Sequence, residues 1–144
     1  MLFCTELAIP ANTPRSRPAV AKLQLTRGVV RHVWVRWRFG SGNLCGCVVR
    51  WHRFQIWPLT GSSWIPSSSL DLSFDEDFTL VREPYEVEIE GYNTDEIYSH
   101  KVWVGLNVFP IEETAVEFVT GALRARQSAK RTGLAGLIQR LGGA

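Results

Sequence analysis

The chain has 144 residues, 45% of them hydrophobic and 21% charged, with a net charge of +2. That length suits one domain able to bury roughly two-thirds of its unfolded surface without disulfides. The totals match ordinary globular proteins, which argues against disorder, and there is no 18-residue apolar run of the kind that spans a membrane.

MLFCTELAIPANTPRSRP carries an early acid at Glu6 and a proline at Pro10, so it does not read as a signal peptide. Residues 8–18 hold three prolines and several turn formers, and the expectation is an extended N-terminal arm over residues 1–20. AVAKLQLTRGVV then alternates weakly through Leu23, Leu25 and Val29, a first strand. In RHVWVRWRFG, at 31–40, the alternation is strong. Val33, Val35, Trp37 and Phe39 form one face, and His32, Trp34, Arg36 and Arg38 the other.

GSGN at 40–43 reads as a turn, and LCGCVVRWHRFQIW as the next strand. Its phase slips between Trp51 and Phe54, which predicts a bulge near His52 and Arg53. PLTGSSWIPSSS is a loop holding Trp64, and DLSFDEDFTL a further short strand or turn. YEVEIEGYN points Tyr85, Val87 and Ile89 inward and Glu86, Glu88 and Glu90 outward. HKVWVGLNVF places His100, Val102, Val104, Leu106 and Val108 inside and Lys101, Trp103 and Asn107 outside.

Short strands with turn signals between them and no intervening helix predict an antiparallel, jelly-roll-like β-sandwich over 21–110. After Pro110 the period becomes helical. Residues 111–144 are expected to be a C-terminal amphipathic helical segment, ending in the apolar residues Leu134, Leu137, Ile138 and Leu141.

Charge is distributed in blocks. Leu7–Leu70 holds nine bases and no acid, and Asp71–Glu96 ten acids and one base. Pairing between neighbouring strands of one copy, or between copies, satisfies such blocks. If the glutamate strand neighbours RHVWVRWRF, Arg36 and Arg38 face Glu88 and Glu86. Arginines among tryptophans suit single-stranded nucleic acid, but that neutralisation and an inward Trp37 count against it. Trp34, Trp64 and Trp103 suit either a sugar-stacking platform or anchors of a protein interface.

Three cysteines, two of them on one strand face at 45 and 47, predict free thiols in a reducing compartment. The oxygen clusters Asp75–Glu76–Asp77 and Asn93–Asp95–Glu96 match no calcium loop and read as solvated turns. None of the three histidines has a nucleophile motif beside it. No enzyme activity, cofactor or metal is expected.

The run LTRGVVRHVWVRW, GSGNLCGCVV, FQIWP and PYEVEIEGYNTDEIYSHKVWVGLNVF resembles, in layout, the small β-sandwich accessory proteins of virus particles and similar appendages. The resemblance implies a structural or decoration subunit, made in the cytoplasm and carried in a virion or other particle. Its partners would be other copies of itself and a larger scaffold protein. Contacts are expected through the arm, Trp34, Arg36, Arg38, Trp64, Trp103, the glutamates 86, 88 and 90, and the apolar C-terminal tip. A glycan-binding module is the alternative, and single-stranded nucleic acid a third.

Overall fold

A computed structural model of the chain describes residues 1–68 and 71–111. Nine strands run through them: β1 (Leu2–Ile9), β2 (Ala19–Gln24), β3 (Gly28–Trp37), β4 (Cys45–Trp51), β5 (Phe54–Trp57), β6 (Ile65–Pro66), β7 (Asp71–Leu80), β8 (Glu86–Asn93) and β9 (His100–Phe109). They form two antiparallel sheets. The first has the order β1-β9-β3-β7 and the second β2-β8-β4-β5, with the two-residue β6 beside β4. The chain starts in the first sheet, enters the second at β2, and crosses between the sheets after most strands.

The period-two pattern explains the core. β3 contributes Val33, Val35 and Trp37, β9 Val102, Val104, Leu106 and Val108, and β8 Val87 and Ile89; all are buried in one hydrophobic cluster spanning both sheets. Each such side chain taken out of water contributes about 1.5–3 kcal/mol. Aromatic contacts join the layers on one side, where Trp51 and Trp57 meet Phe78 at ring-centroid distances of 5.4 and 5.8 Å. On the other side Gly91 lets the sheets approach. A Cβ there would lie 2.5 Å from Ile9 Cδ1 and 3.0 Å from Leu7 Cδ2, so a larger residue would push β1 off β8.

The N-terminal arm is a correction. Leu2–Ile9 is an edge strand paired with β9 along its whole length, because Phe3, Thr5, Leu7 and Ile9 share one face and Leu7 and Ile9 are buried. Residues 10–18 connect β1 to β2 and are tied to their own chain. The Asn12 amide donates to Asp95 O at 2.8 Å, the Asn93 amide donates to Thr13 O at 2.9 Å, and Arg15 Nη2 donates to Tyr92 Oη at 2.8 Å. Met1–Phe109 forms one compact unit.

Three smaller expectations also change. The first strand is two strands, and Val30, not Val29, is buried, because a register shift between Val30 and His32 leaves Arg31 as an extra residue. The slip after Trp51 is a hairpin turn, not a bulge in one strand. His52 takes the left-handed conformation (φ 54°) and the chain reverses into β5, with the register irregularity at Val49/Arg50. Phe39 is 90% exposed, because β3 has ended and alternation no longer governs it.

The helix expected over 111–144, with Leu134, Leu137, Ile138 and Leu141, lies outside the described residues apart from Ile111. Among the described residues no helix is long and apolar enough to cross a membrane.

Candidate functional site

The outward face of the first sheet carries Trp34, Arg36 and Trp103, with Arg38 just past the end of β3. Antiparallel register sets Trp34 opposite Gly105 on β9 and Ser73 on β7, and Arg36 opposite Trp103 and Asp71. Small neighbours let the indoles lie along the sheet. A Cβ on Gly105 would be 3.1 Å from Trp103 Cζ3 and 3.4 Å from Trp34 Cε3, so the bare glycine is the bed of both rings. His32 continues the row, its ring 4.4 Å from Trp34 edge-on.

Charges on this face are matched within the chain, with partners other than those expected. Arg36 donates to Asp71 Oδ2 through Nη2 at 2.8 Å, Arg31 pairs with Asp77, and His32 with Asp75. Lys101 donates to Glu6 Oε1 at 2.6 Å, which holds the Glu6 carboxyl below its ordinary range, and Arg38 Nη2 lies 3.8 Å from Glu6 Oε2. Hydrogen bonding to Asp71 raises the Arg36 guanidinium further. Arg36 and Asp71 are both more than half exposed, so solvent screens their pair and it adds little to stability.

The glutamate ladder sits on the other sheet. β3 and β8 share no pairing, so Arg36 and Arg38 do not meet Glu88 and Glu86. Instead Lys22 on β2 lies 2.8 Å from Glu86 and 3.2 Å from Glu88, and Gln24 donates to Glu86. The Glu86 hydrogen bond is the main reason the Lys22 ammonium is raised. Arg50 Nε on β4 is 2.8 Å from Glu90, close enough for an ion pair though angled too poorly to satisfy its N–H. The spacing of charges was right, but topology placed β2 and β4, not β3, beside them.

The three candidate platform tryptophans separate. Trp34 and Trp103 are neighbours on the first sheet, whereas Trp64 packs edge-on against Tyr92 of β8, at 5.0 Å. Tyr92 lies over Gly46, its register partner, and carries the Arg15 guanidinium 4.2 Å above its ring. Trp64 thus belongs to a structural stack.

Neither oxygen cluster gathers ligands. On β7 the period of two sends Asp75 and Asp77 outward to β3, while Glu76 turns toward the core side and accepts from Trp57 Nε1 at 3.0 Å. Among the described residues no group of three His, Cys, Asp or Glu could hold a metal ion. Asp95 is occupied in its own turn, accepting from the amides of Ile97 and Tyr98 and from His100 Nε2 at 2.9–3.0 Å. These bonds, the backbone ones foremost, bring its carboxyl down to about 2.

Asn93 is the residue that sequence reasoning missed as a hub. It is 1% exposed, and its amide nitrogen donates to the carbonyls of Ile9, Pro10 and Tyr98 while its oxygen accepts from Asp95 N and Cys45 Sγ. The signal was Asn-Thr-Asp at a strand end, a pattern that favours side-chain-capped turns. Cys45 and Cys47 point inward as free thiols, pushed up by burial to about 11 and about 12.

Where β3 and β9 meet the connection that follows β3, a groove of about 670 Å³ opens, walled by Trp103, Trp37 and Phe39 and by the charged groups of Glu6, Arg38 and Lys101. No protein-family model matches the sequence, and the comparison with curated proteins finds no match.

Proposed function

We propose that the chain is a non-enzymatic structural or decoration subunit of a large protein assembly such as a virion. The observation that carries this reading is the strand order. With β6 set aside, β1-β9-β3-β7 facing β2-β8-β4-β5 is the order of an eight-stranded jelly roll, a sandwich that capsid proteins use. Lectins and cupins use it too, so the fold needs a second support.

That support is apolar surface at one end of the sheets. The connections 38–44 and 94–99 leave from the same end and are bonded to each other, Thr94 N donating to Leu44 O at 2.8 Å. They present Phe39, Leu44, Ile97 and Tyr98 to solvent. Exposed rings and branched chains grouped on a rim suit a protein contact. The outward Trp34 and Trp103 supply a second contact face. Nucleic acid fits less well, because Arg31 and Arg36 are each ion-paired with an aspartate.

The test is particle mass by light scattering across protein concentration and salt. Growth of mass with concentration is expected. A strict monomer under all conditions would refute the assembly reading.

A further inference from the structure

We infer that the groove beside Trp103 is a binding site for an acidic saccharide, a sugar ring bearing one carboxylate. The site stands on its own observations, and because Phe39 and Trp103 also belong to the contact faces proposed above, it is the site of the unassembled chain.

Size comes first. A groove of about 670 Å³ falls within the range of small-ligand sites, roughly 300–1,000 Å³. Its ring surface comes from Trp103, fixed in place over Gly105, and from Phe39, which no other described residue covers. Aromatic faces fit the apolar C–H side of a pyranose, whose hydroxyls need polar partners around the edge.

Charge narrows the class. Three cations reach this end of the face, Arg36, Arg38 and Lys101, against two carboxylates, Asp71 and Glu6. Asp71 holds Arg36 at 2.8 Å and Lys101 holds Glu6 at 2.6 Å, which among the described residues leaves Arg38 with only a 3.8 Å approach to an acid already engaged. The Arg38 guanidinium, 74% exposed, is the surplus. A planar fork with free donors is suited to one carboxylate, taken bidentate. A polyanion would meet Glu6 and Asp71 as well, and a neutral sugar would leave Arg38 unused.

The experiment is titration of the full chain with methyl galacturonoside, a single ring with one carboxylate, and with its methyl ester, which keeps the shape and removes the charge. The indole N–H resonances are followed by NMR. The acid is expected to bind with a dissociation constant on the order of 1 mM, moving the Trp103 signal. The ester should bind at least ~10-fold more weakly, and Arg38→Ala and Trp103→Ala should each lose about as much. Lys22→Ala, on the other sheet, should bind normally. If Trp103→Ala does not fold, the exposed Arg38→Ala carries the comparison. No shift at roughly ten times the expected constant, equal binding of the ester, or tighter binding of a single-stranded DNA oligonucleotide would each overturn the site.

Discussion

Replacing Asn93 by alanine should cost this protein far more than its single amide suggests. The side chain is 1% exposed and holds three separate pieces of chain: the end of β1, the start of the β1–β2 connection and the β8–β9 turn. Its donation to Tyr98 O at 2.9 Å and its acceptance from Asp95 N at 2.9 Å are the strongest links, and those to Ile9 O and Pro10 O are longer, at 3.3 and 3.1 Å. Pro10 O also accepts from Thr13 Oγ1, so it stays satisfied after the change. Tyr98 O and Asp95 N lose these partners, at about 1–3 kcal/mol each where water cannot replace them. Allowing for partial hydration, we expect a loss of about 3 kcal/mol and a Tm lower by roughly 12–20 °C. Urea unfolding measures the first, with the slope unchanged if the denatured state is unaltered. Hydrogen exchange should show faster opening of the Asn12 and Tyr98 amides before the core strands are affected. A loss under about 1 kcal/mol would show that the end of the sandwich is held by packing alone and that the hub reading is wrong.

Three further outcomes follow from the same geometry. At pH 8 a thiol reagent should label Cys4 rapidly in the folded protein and leave Cys45 and Cys47 protected, since burial pushes them to about 11 and about 12. Fast labelling of more than one thiol would contradict the core assignment. The Asp95 carboxyl, lowered to about 2 in the fold, stabilises above its unfolded range and ceases to do so as pH falls through about 2. Thermal scans from pH 5 downward should therefore show a stability loss that Asp95→Asn removes from that window. Gly46→Ala should destabilise by about 1–3 kcal/mol, because its Cβ would lie 2.5 Å from a Tyr92 ring that Arg15 and Trp64 pin. Removing that ring in the same chain should recover part of the loss in a double-mutant cycle.

How much of this the sequence disclosed depended on whether local period or long-range neighbours decide the matter. The inward sets of β3, β8 and β9 follow from alternation alone, because one buried face per strand forces it. β1 had the same alternation in Phe3, Thr5, Leu7 and Ile9, but the prolines at 10, 14 and 18 drew the reading toward an arm. Prolines there end the strand and shape the crossing; they say nothing against a strand before them. Phe39 failed for the opposite reason. Gly40 at φ 98° and Gly42 at φ 42° turn the chain out of the sheet, so the phase of Val33, Val35 and Trp37 stops one residue earlier than the hydrophobic letters do. The charge ladders were legible as ladders but not as pairs, since pairing follows strand order and strand order is a property of the whole fold.

The tryptophans show why a polar strand face is not the same as an exposed one. Alternation puts Trp34 and Trp103 outward, which suggests two rings standing in solvent. Gly105 changes that, because a strand position without a Cβ leaves a hollow, and both indoles lean into it and hide much of their surface. Gly46 does the same for Tyr92 on the opposite sheet. A ring that lies on a glycine is held rigid, so meeting a ligand costs little side-chain entropy. Mid-sheet, however, its neighbours occupy the remaining room. Where β3 runs out, beside Arg38 and Phe39, a held ring adjoins open space and a guanidinium that no described residue engages closely. The chemistry suggested by arginines among tryptophans in RHVWVRWRFG therefore concentrates at its last three residues, where the strand stops being a strand.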